Sequence, residues 1–262
     1  YGLGAHVTFM PFDGYFGPET DTIAWFERFL EDGSSGVDVP AAVLVETVQG
    51  EGGVNVATVA WLQRLEALCR RFDMLLIVDD IQVGNGRTGD FFSFERAGIT
   101  PDLVTLSKSV GGGLPLALLL LRPEHDQWEP GEHTGTFRGN NLAFVAAAEA
   151  LAFWDDPSFG QEVVRKGERL RAGLEELAAR LPQLAPEVRG LGMIRGLALS
   201  DPEVVAETTA RAFERGLVIE TAGARGQVLK CLPALTIDDA LLEEGLAILG
   251  EALDEAARRG RS

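Results

Sequence analysis

The chain contains 262 residues, of which 46% are hydrophobic and 24% are charged, a composition typical of a globular protein with a sizeable core. Its 40 acidic and 23 basic residues give a formal net charge of −17. Such a surface repels phosphate backbones and anionic membranes, so we expect neither a nucleic-acid partner nor a membrane partner. The two cysteines, Cys69 and Cys231, form no Cys-x-x-Cys pair, and a reduced, cytoplasmic protein is the expectation.

The first half of the chain alternates short apolar runs, which predict buried strands, with helical patterns. The predicted strands are AAVLVE (41–46), LLIVDD (75–80), LVTLSK (103–108) and LALLLL (116–121). Residues 58–73 carry apolar side chains at helical spacing. Continuous apolar strands separated by helices predict an α/β fold, in which a mostly parallel sheet has helices on both faces.

The second half has a different pattern, with longer helices and fewer strands. We predict helices over 140–154, 158–181 and 238–259, and strands within 192–199, 217–221 and 227–237. This pattern indicates a smaller α+β domain. We therefore place a large domain at residues 1–154 and a small C-terminal domain at residues 155–262.

A glycine-rich segment follows the second predicted strand. Gly84, Gly86 and Gly89 match G-x-G-x-x-G, which in a dinucleotide-binding turn lies directly between a strand and a helix. Here DDIQV separates the apolar run from Gly84, and no helical pattern follows Gly89. The sequence favours a glycine-rich turn, and a nucleotide-binding oxidoreductase that uses this loop remains an alternative.

Polar residues at the ends of two predicted strands suggest a specific chemistry. A lysine at a strand end, such as Lys108 before SVGGGLP, can form a Schiff base with an aldehyde. An acid on a neighbouring strand can keep a pyridinium nitrogen protonated. Side chains alternate along a strand, so only one of Asp79 and Asp80 can enter a shared crevice, and we predict Asp79. Solvated strand ends are the competing interpretation of both segments.

Four segments, in order along the chain, resemble the class III aminotransferases, which are pyridoxal phosphate (PLP) enzymes of fold type I. They are VETVQGEGG, LLIVDDIQVGNGRTG, PDLVTLSKSVGGGLP and HTGTFRGNN. Within the family, PFDGYFGPETDTIAWFE and SSGVDVPAAVLVETVQGEGG are similar to the subgroup that forms 2,4-diaminobutyrate in ectoine biosynthesis. The resemblance implies amino transfer between glutamate and aspartate 4-semialdehyde. Another ω-aminotransferase with a different diamine or ω-amino acid, and a chain with only a binding or assembly role, are the alternatives.

The resemblance also implies roles for individual residues. Lys108 corresponds to the lysine that binds the PLP aldehyde, and Asp79 to the acid at the pyridinium nitrogen. Ile81 holds the place of the aliphatic residue that packs on one ring face, and Gln82 that of the residue bonded to the ring hydroxyl. Thr136 corresponds to a threonine that reaches the cofactor phosphate of the neighbouring subunit, which implies a homodimer or a higher homo-oligomer. No metal site is expected.

Two more positions concern the substrate. Glu51 corresponds to a glutamate that pairs with a cation in one half-reaction and releases it to a dicarboxylate in the other. The cation is usually an arginine, whereas VLKCLPALT places Lys230 there, and lysine cannot form the bidentate fork to a carboxylate. An ordinary exposed lysine is the competing interpretation. Because the family carries further large-domain residues ahead of the matching part, Tyr1 is expected to lie inside that domain.

Overall fold

A computed structural model describes residues 6–136 and 138–259 of the chain. Its α-helices are α1 (Thr22–Glu31), α2 (Val59–Arg71), α3 (Asn141–Leu151), α4 (Ser158–Arg180), α5 (Pro202–Glu214) and α6 (Asp239–Arg259). Its strands are β1 (Ala42–Val45), β2 (Val48–Gln49), β3 (Asn55–Val56), β4 (Leu75–Asp79), β5 (Leu103–Leu106), β6 (Leu118–Leu121), β7 (Glu187–Leu191), β8 (Ile194–Ala198), β9 (Glu220–Ala222) and β10 (Val228–Cys231). The predicted domain ends at residues 1 and 262 lie outside the described residues.

The first half of the chain forms a four-stranded sheet in the order β1-β4-β5-β6. The pairs β1–β4 and β4–β5 are parallel, and β6 closes the sheet as an antiparallel edge. Leu76 and Val78 are fully buried on one face, whereas Leu44 and Leu119 on the opposite face are 64% and 46% exposed. The three parallel strands direct their carboxyl ends to the same edge of the sheet, which is where α/β proteins bind ligands.

Helix α2 covers the buried face of this sheet, and its sequence explains both its start and its orientation. The Thr58 hydroxyl accepts a hydrogen bond from the Trp61 N–H and thereby caps the helix. Leu62, Leu65 and Leu68 recur at helical spacing and are buried together in the core beneath β1 and β4.

The second half forms an antiparallel sheet in the order β7-β8-β10-β9, with α4, α5 and α6 packed against it. The strand predicted over 227–237 ends at Cys231, shortly before Pro233, which has no N–H to donate to a ladder. Helix α5 has no counterpart among the predicted elements. It begins at an Asp201 cap with Pro202 in its first turn, and the β-branched residues inside it weaken the helical signal.

A separate apolar cluster joins the two sheets. Its buried members are Val48, Val54, Val83, Ile194, Ala198, Ala222 and Val228. Backbone hydrogen bonds cross the same boundary, from Met193 N to Arg87 O at 2.8 Å and from Gly223 N to Glu51 O at 2.9 Å. The cluster therefore holds one face of the second sheet against the loops that follow β1 and β4. None of the helices in residues 6–136 and 138–259 has the length and apolar character needed to cross a membrane.

Two helical glycines test how tightly the second half is packed. A Cβ added at Gly167 in α4 would lie 2.6 Å from the carbonyl carbon and oxygen of Gly192, and backbone atoms cannot rotate away. We expect Gly167→Ala to lower the free energy of unfolding by about 1–3 kcal/mol, despite the better helix propensity of alanine. In the control Gly245→Ala the nearest atom is 3.8 Å away, so a gain of about 0.5–1 kcal/mol is expected. Urea unfolding measures both, and similar effects of the two changes would contradict this packing.

Candidate active site

The carboxyl ends of β4 and β5 bring together the acid and the lysine singled out by the sequence. Asp79 is the last residue of β4, and its register partner in β5 is Thr105. Strand β5 ends at Leu106, and a short 3₁₀ helix then begins at Lys108. The strand predicted over 103–108 is therefore two residues shorter than expected. Asp79 and Lys108 still end up at neighbouring strand ends, as the sequence analysis predicted.

The backbone at Lys108 is held in an unusual conformation. Its φ angle is +52°, in the left-handed region that side-chain-bearing residues rarely adopt, and Gly112 follows in the same region. Such strain costs on the order of 1–3 kcal/mol and persists where the surrounding structure imposes it, often at functional positions. Lys108 is exposed. The described part of the chain therefore leaves this lysine in contact with solvent.

Asp79 and Asp80 point to opposite faces of the sheet. Asp80 is fully buried and accepts hydrogen bonds from the Ser93 hydroxyl and, at 3.0 Å, from the Ser93 N–H. Burial raises the pKa of Asp80 to about 6. Asp79 is only partly buried, and one of its oxygens accepts the Ile81 N–H at 3.0 Å. Asp79 is therefore the acid available to a group in the crevice, in agreement with the alternation of side chains along β4.

Gln82 and Glu51 lie side by side near these strand ends. The Gln82 Nε2 group donates to Glu51 Oε1 at 3.0 Å, whereas Gln82 Oε1 is buried and has no hydrogen-bond partner among the described residues. Glu46, at the end of β1, has its pKa raised by burial, and the negative charges of Asp79 and Glu51 act in the same direction. These four side chains thus share one electrostatic environment. Glu46 is the last residue of the predicted strand AAVLVE, and no role was predicted for it.

Lys230 lies in β10, and its side chain has no exposed surface. Because side chains alternate along the strand, Lys230 projects on the same face as Val228, towards the apolar cluster that joins the two sheets. Its ammonium group forms ion pairs with Glu51 and, at 3.1 Å, with Glu220 Oε2. Hydrogen bonds from Gln82 and then from Lys230 lower the pKa of Glu51. The interpretation of Lys230 as an ordinary exposed lysine is therefore wrong.

Glu220 was not singled out by the sequence. It is the direct register partner of Lys230 in the antiparallel pair β9–β10. The only signal was an acid inside the apolar run LVIET, and the register that brings it opposite Lys230 cannot be read from either segment alone.

Two further predicted positions, Ile81 and Thr136, differ in their exposure. Ile81 directly follows the two acids and is half-buried. Thr136 is exposed in the segment that follows Gly131. Because its predicted partner is the cofactor phosphate of a neighbouring subunit, its role in this single chain stays a prediction.

The glycine-rich loop does not form a dinucleotide-binding turn. No α-helix follows it before Glu95–Ala97, which is itself only a short 3₁₀ helix. A Cβ added at Gly86 would lie 2.2 Å from the ring of Trp154, and one at Gly84 would lie 2.7 Å from the Asp80 carbonyl oxygen. The glycines therefore permit close packing of the loop, and the nucleotide-binding alternative is not supported.

Residues 5–253 match the family model described as Aminotransferase class-III. Curated relatives named diaminobutyrate--2-oxoglutarate transaminase include those of Wolinella succinogenes, 61% identical over 254 residues, and Halomonas elongata, 54% identical over 254 residues. The two alignments cover 97% and 95% of this chain. The chain spans about 60% of the length of each of these relatives. It belongs to the class III aminotransferase family.

Solved structures agree with this assignment. The N-acetylornithine aminotransferase of Stenotrophomonas maltophilia K279a is 32% identical, with a TM-score of 0.78 over 90% of this chain and 61% of that one. The ornithine aminotransferase of Toxoplasma gondii is 30% identical, with a TM-score of 0.81 over 95% of this chain and 60% of that one, and it shows partial occupancy of PLP at its active site. The predicted PLP-transferase fold of type I is confirmed.

The buried Asp80 makes stability depend on pH. Its folded-state pKa of about 6 exceeds the ordinary value of 3.8, so the folded protein binds this proton more tightly than the unfolded chain. The resulting stabilisation is complete below pH 3.8 and is lost as the pH rises through 6. Relative to Asp80→Asn, the unchanged protein should lose up to about 3 kcal/mol of unfolding free energy between pH 4 and pH 7. Urea unfolding across this range measures the difference, and parallel pH curves for the two proteins would refute the assignment.

Proposed function

We propose that the protein carrying this chain is a PLP-dependent aminotransferase that transfers an amino group from glutamate to aspartate 4-semialdehyde, forming 2,4-diaminobutyrate and 2-oxoglutarate. The observation that carries the proposal is the pair Asp79 and Lys108 at neighbouring strand ends. The names of relatives that are 54% and 61% identical support the choice of substrates. We further propose that the enzyme is a cytoplasmic homodimer.

The residues of the crevice fit the cofactor. Asp79 places a carboxylate on the open face of the sheet. A pyridinium nitrogen bound there would have the negatively charged partner that it requires. The buried and unpartnered Gln82 Oε1 is an acceptor suited to a ring hydroxyl. Lys108 supplies the amine that would hold the aldehyde, and the half-buried Ile81 supplies an aliphatic surface for a ring face.

Each of these residues has a defined task in the proposed reaction. When bound, PLP supplies an electron sink for the pair released as the substrate Cα loses its proton. Lys108 Nζ, once free of the cofactor, takes that proton from Cα and later returns it, acting as general base and then as general acid. The Asp79 carboxylate keeps the proton on the ring nitrogen, and Gln82 fixes the orientation of the ring.

The ion pair between Glu51 and Lys230 offers a mechanism by which one site accepts both an amine substrate and a dicarboxylate substrate. While the pair is closed, Lys230 is not available to a carboxylate, which suits a substrate that reacts through its terminal amine. When Glu51 moves aside, Lys230 can bind a carboxylate of glutamate or 2-oxoglutarate. Glu51 is suited to such a movement because its side chain is 71% exposed, whereas Lys230 is held in the sheet.

Another ω-aminotransferase activity is the second candidate, and the structural similarity to ornithine and N-acetylornithine aminotransferases is the observation that favours it. A panel of ω-amino donors, assayed with 2-oxoglutarate as the common acceptor, distinguishes the two. The proposed function requires 2,4-diaminobutyrate to have the highest kcat/KM. A higher value for ornithine or N-acetylornithine would replace it with the second candidate.

The attachment of the cofactor provides a direct test. Borohydride reduction of the loaded protein, followed by peptide mapping, should place the pyridoxyl group on Lys108, because only Lys108 lies beside Asp79 at the strand ends. Lys166, which lies in α4, serves as the internal control and should remain unmodified. Recovery of the label on Lys166 or Lys230 would overturn the assignment of the site.

The two adjacent acids give a matched pair of variants for the reaction. Asp79→Asn should lower kcat by orders of magnitude, because a neutral partner no longer holds the ring nitrogen protonated. Asp80→Asn removes the same charge on the opposite, buried face and should leave kcat within about ten-fold of the unchanged enzyme. Single-turnover absorbance changes measure both, and a larger loss for Asp80→Asn would mean that the wrong acid has been assigned.

A further inference from the structure

We propose that Glu220 is a specificity-determining residue, which makes the closed site favour an amino substrate that carries a second ammonium group. The inference deepens the proposed function and rests on it. It starts from the observation that Lys230 has two carboxylate partners, although one would neutralise it. The second, Glu220, lies directly across the strand pair from Lys230, with its Oε2 atom 3.1 Å from the ammonium nitrogen.

The geometry makes Glu220 a fixed partner and Glu51 an exchangeable one. Glu220 and Lys230 are register partners in adjacent strands, so their side chains leave the sheet on the same face. Glu51 belongs to the turn after β2 and reaches Lys230 from the other half of the molecule. When Glu51 moves away, Lys230 therefore keeps Glu220 as a carboxylate partner. The buried ammonium group thus has a counter-charge in both states, which avoids the cost of an unpaired buried charge.

The charge balance differs between the two states of the site. With Glu51 in place, one ammonium and two carboxylates leave one uncompensated negative charge. Both carboxylate side chains are largely exposed, at 71% for Glu51 and 68% for Glu220, so this excess charge is accessible to a dissolved ligand. Glu51 also accepts a hydrogen bond from Gln82, which connects the charged group to the crevice. When a substrate carboxylate replaces Glu51, the number of charges around Lys230 stays the same. Glu220 should therefore affect ligand binding while Glu51 is in place more than it affects the replacement of Glu51 by a substrate carboxylate.

An α-amino, ω-amino acid matches the closed state. While its terminal amine reacts, its α-ammonium group remains as a cation that an excess negative charge attracts. A simple ω-amino acid lacks this second ammonium group and gains nothing from Glu220. The pair 2,4-diaminobutyrate and 4-aminobutyrate isolates the effect, because the two molecules differ only in the α-ammonium group.

The test measures binding rather than turnover. Isothermal titration of borohydride-treated protein, in which amino transfer is blocked, gives the Kd of 2,4-diaminobutyrate, 4-aminobutyrate and glutarate. The unchanged protein should bind 2,4-diaminobutyrate more tightly than 4-aminobutyrate. Glu220→Gln should reduce this preference about three- to five-fold, as expected for one largely exposed charge contact. Its affinity for glutarate should change less than two-fold.

Two further variants separate charge from folding. Glu220→Asp keeps the carboxylate and should retain most of the preference. Glu214→Gln removes an exposed charge at the end of α5, away from Lys230, and should leave all three affinities unchanged. The inference is wrong if the unchanged protein shows no preference, or if Glu220→Gln weakens the binding of all three ligands equally. Failure of the proposed function has a different signature, since untreated protein would then show a higher kcat/KM for ornithine or N-acetylornithine than for 2,4-diaminobutyrate, without a change in these binding ratios.

Discussion

The parallel register of β4 and β5 is the constraint on which the candidate site depends. It pairs Asp79 with Thr105, three residues before Lys108, so a carboxylate and an amine from distant parts of the sequence end at one edge of the sheet. A shift of that register by one residue would send Asp80 into the crevice and Asp79 into the core. The apolar face formed by Leu76 and Val78 prevents this shift, because it is fully buried only in the observed register. Packing of the core thus determines which acid can do chemistry.

The same edge carries unfavourable contributions to stability that the rest of the fold must offset. Asp80 is a buried carboxyl whose charged form is disfavoured, and Lys108 has a left-handed backbone conformation. Gln82 Oε1 is buried without a partner in the described residues. Each feature costs free energy in the isolated chain, and the features cluster where we propose that the cofactor binds. Structural strain and incomplete hydrogen bonding at one place are what a site prepared for a ligand would show.

Much of the first half could be predicted from the sequence, because apolar periodicity and strand-end acids are local signals. The strands over 75–79 and 103–106 and helix α2 lie within two residues of their predicted ends. Two findings were not predictable in this way. Helix α5 is rich in β-branched residues, so its helical conformation depends on packing against α6 rather than on local preference. Glu220 gains its importance from an antiparallel register between two short strands, which is a property of the folded sheet.

The lysine at position 230, where the resemblance to the family implies an arginine, has a physical consequence. An arginine can hold a carboxylate through two parallel N–H donors, whereas the Lys230 ammonium is a point charge with three donors. One of these donors bonds to Glu51, and Glu220 lies within ion-pair distance of the same ammonium group. Replacement of Glu51 by a substrate carboxylate conserves this arrangement, because a single acceptor is exchanged and no second donor has to be realigned. A buried lysine with one permanent and one exchangeable carboxylate can therefore alternate between substrates without ever losing its counter-charge, which a lysine paired with Glu51 alone could not do.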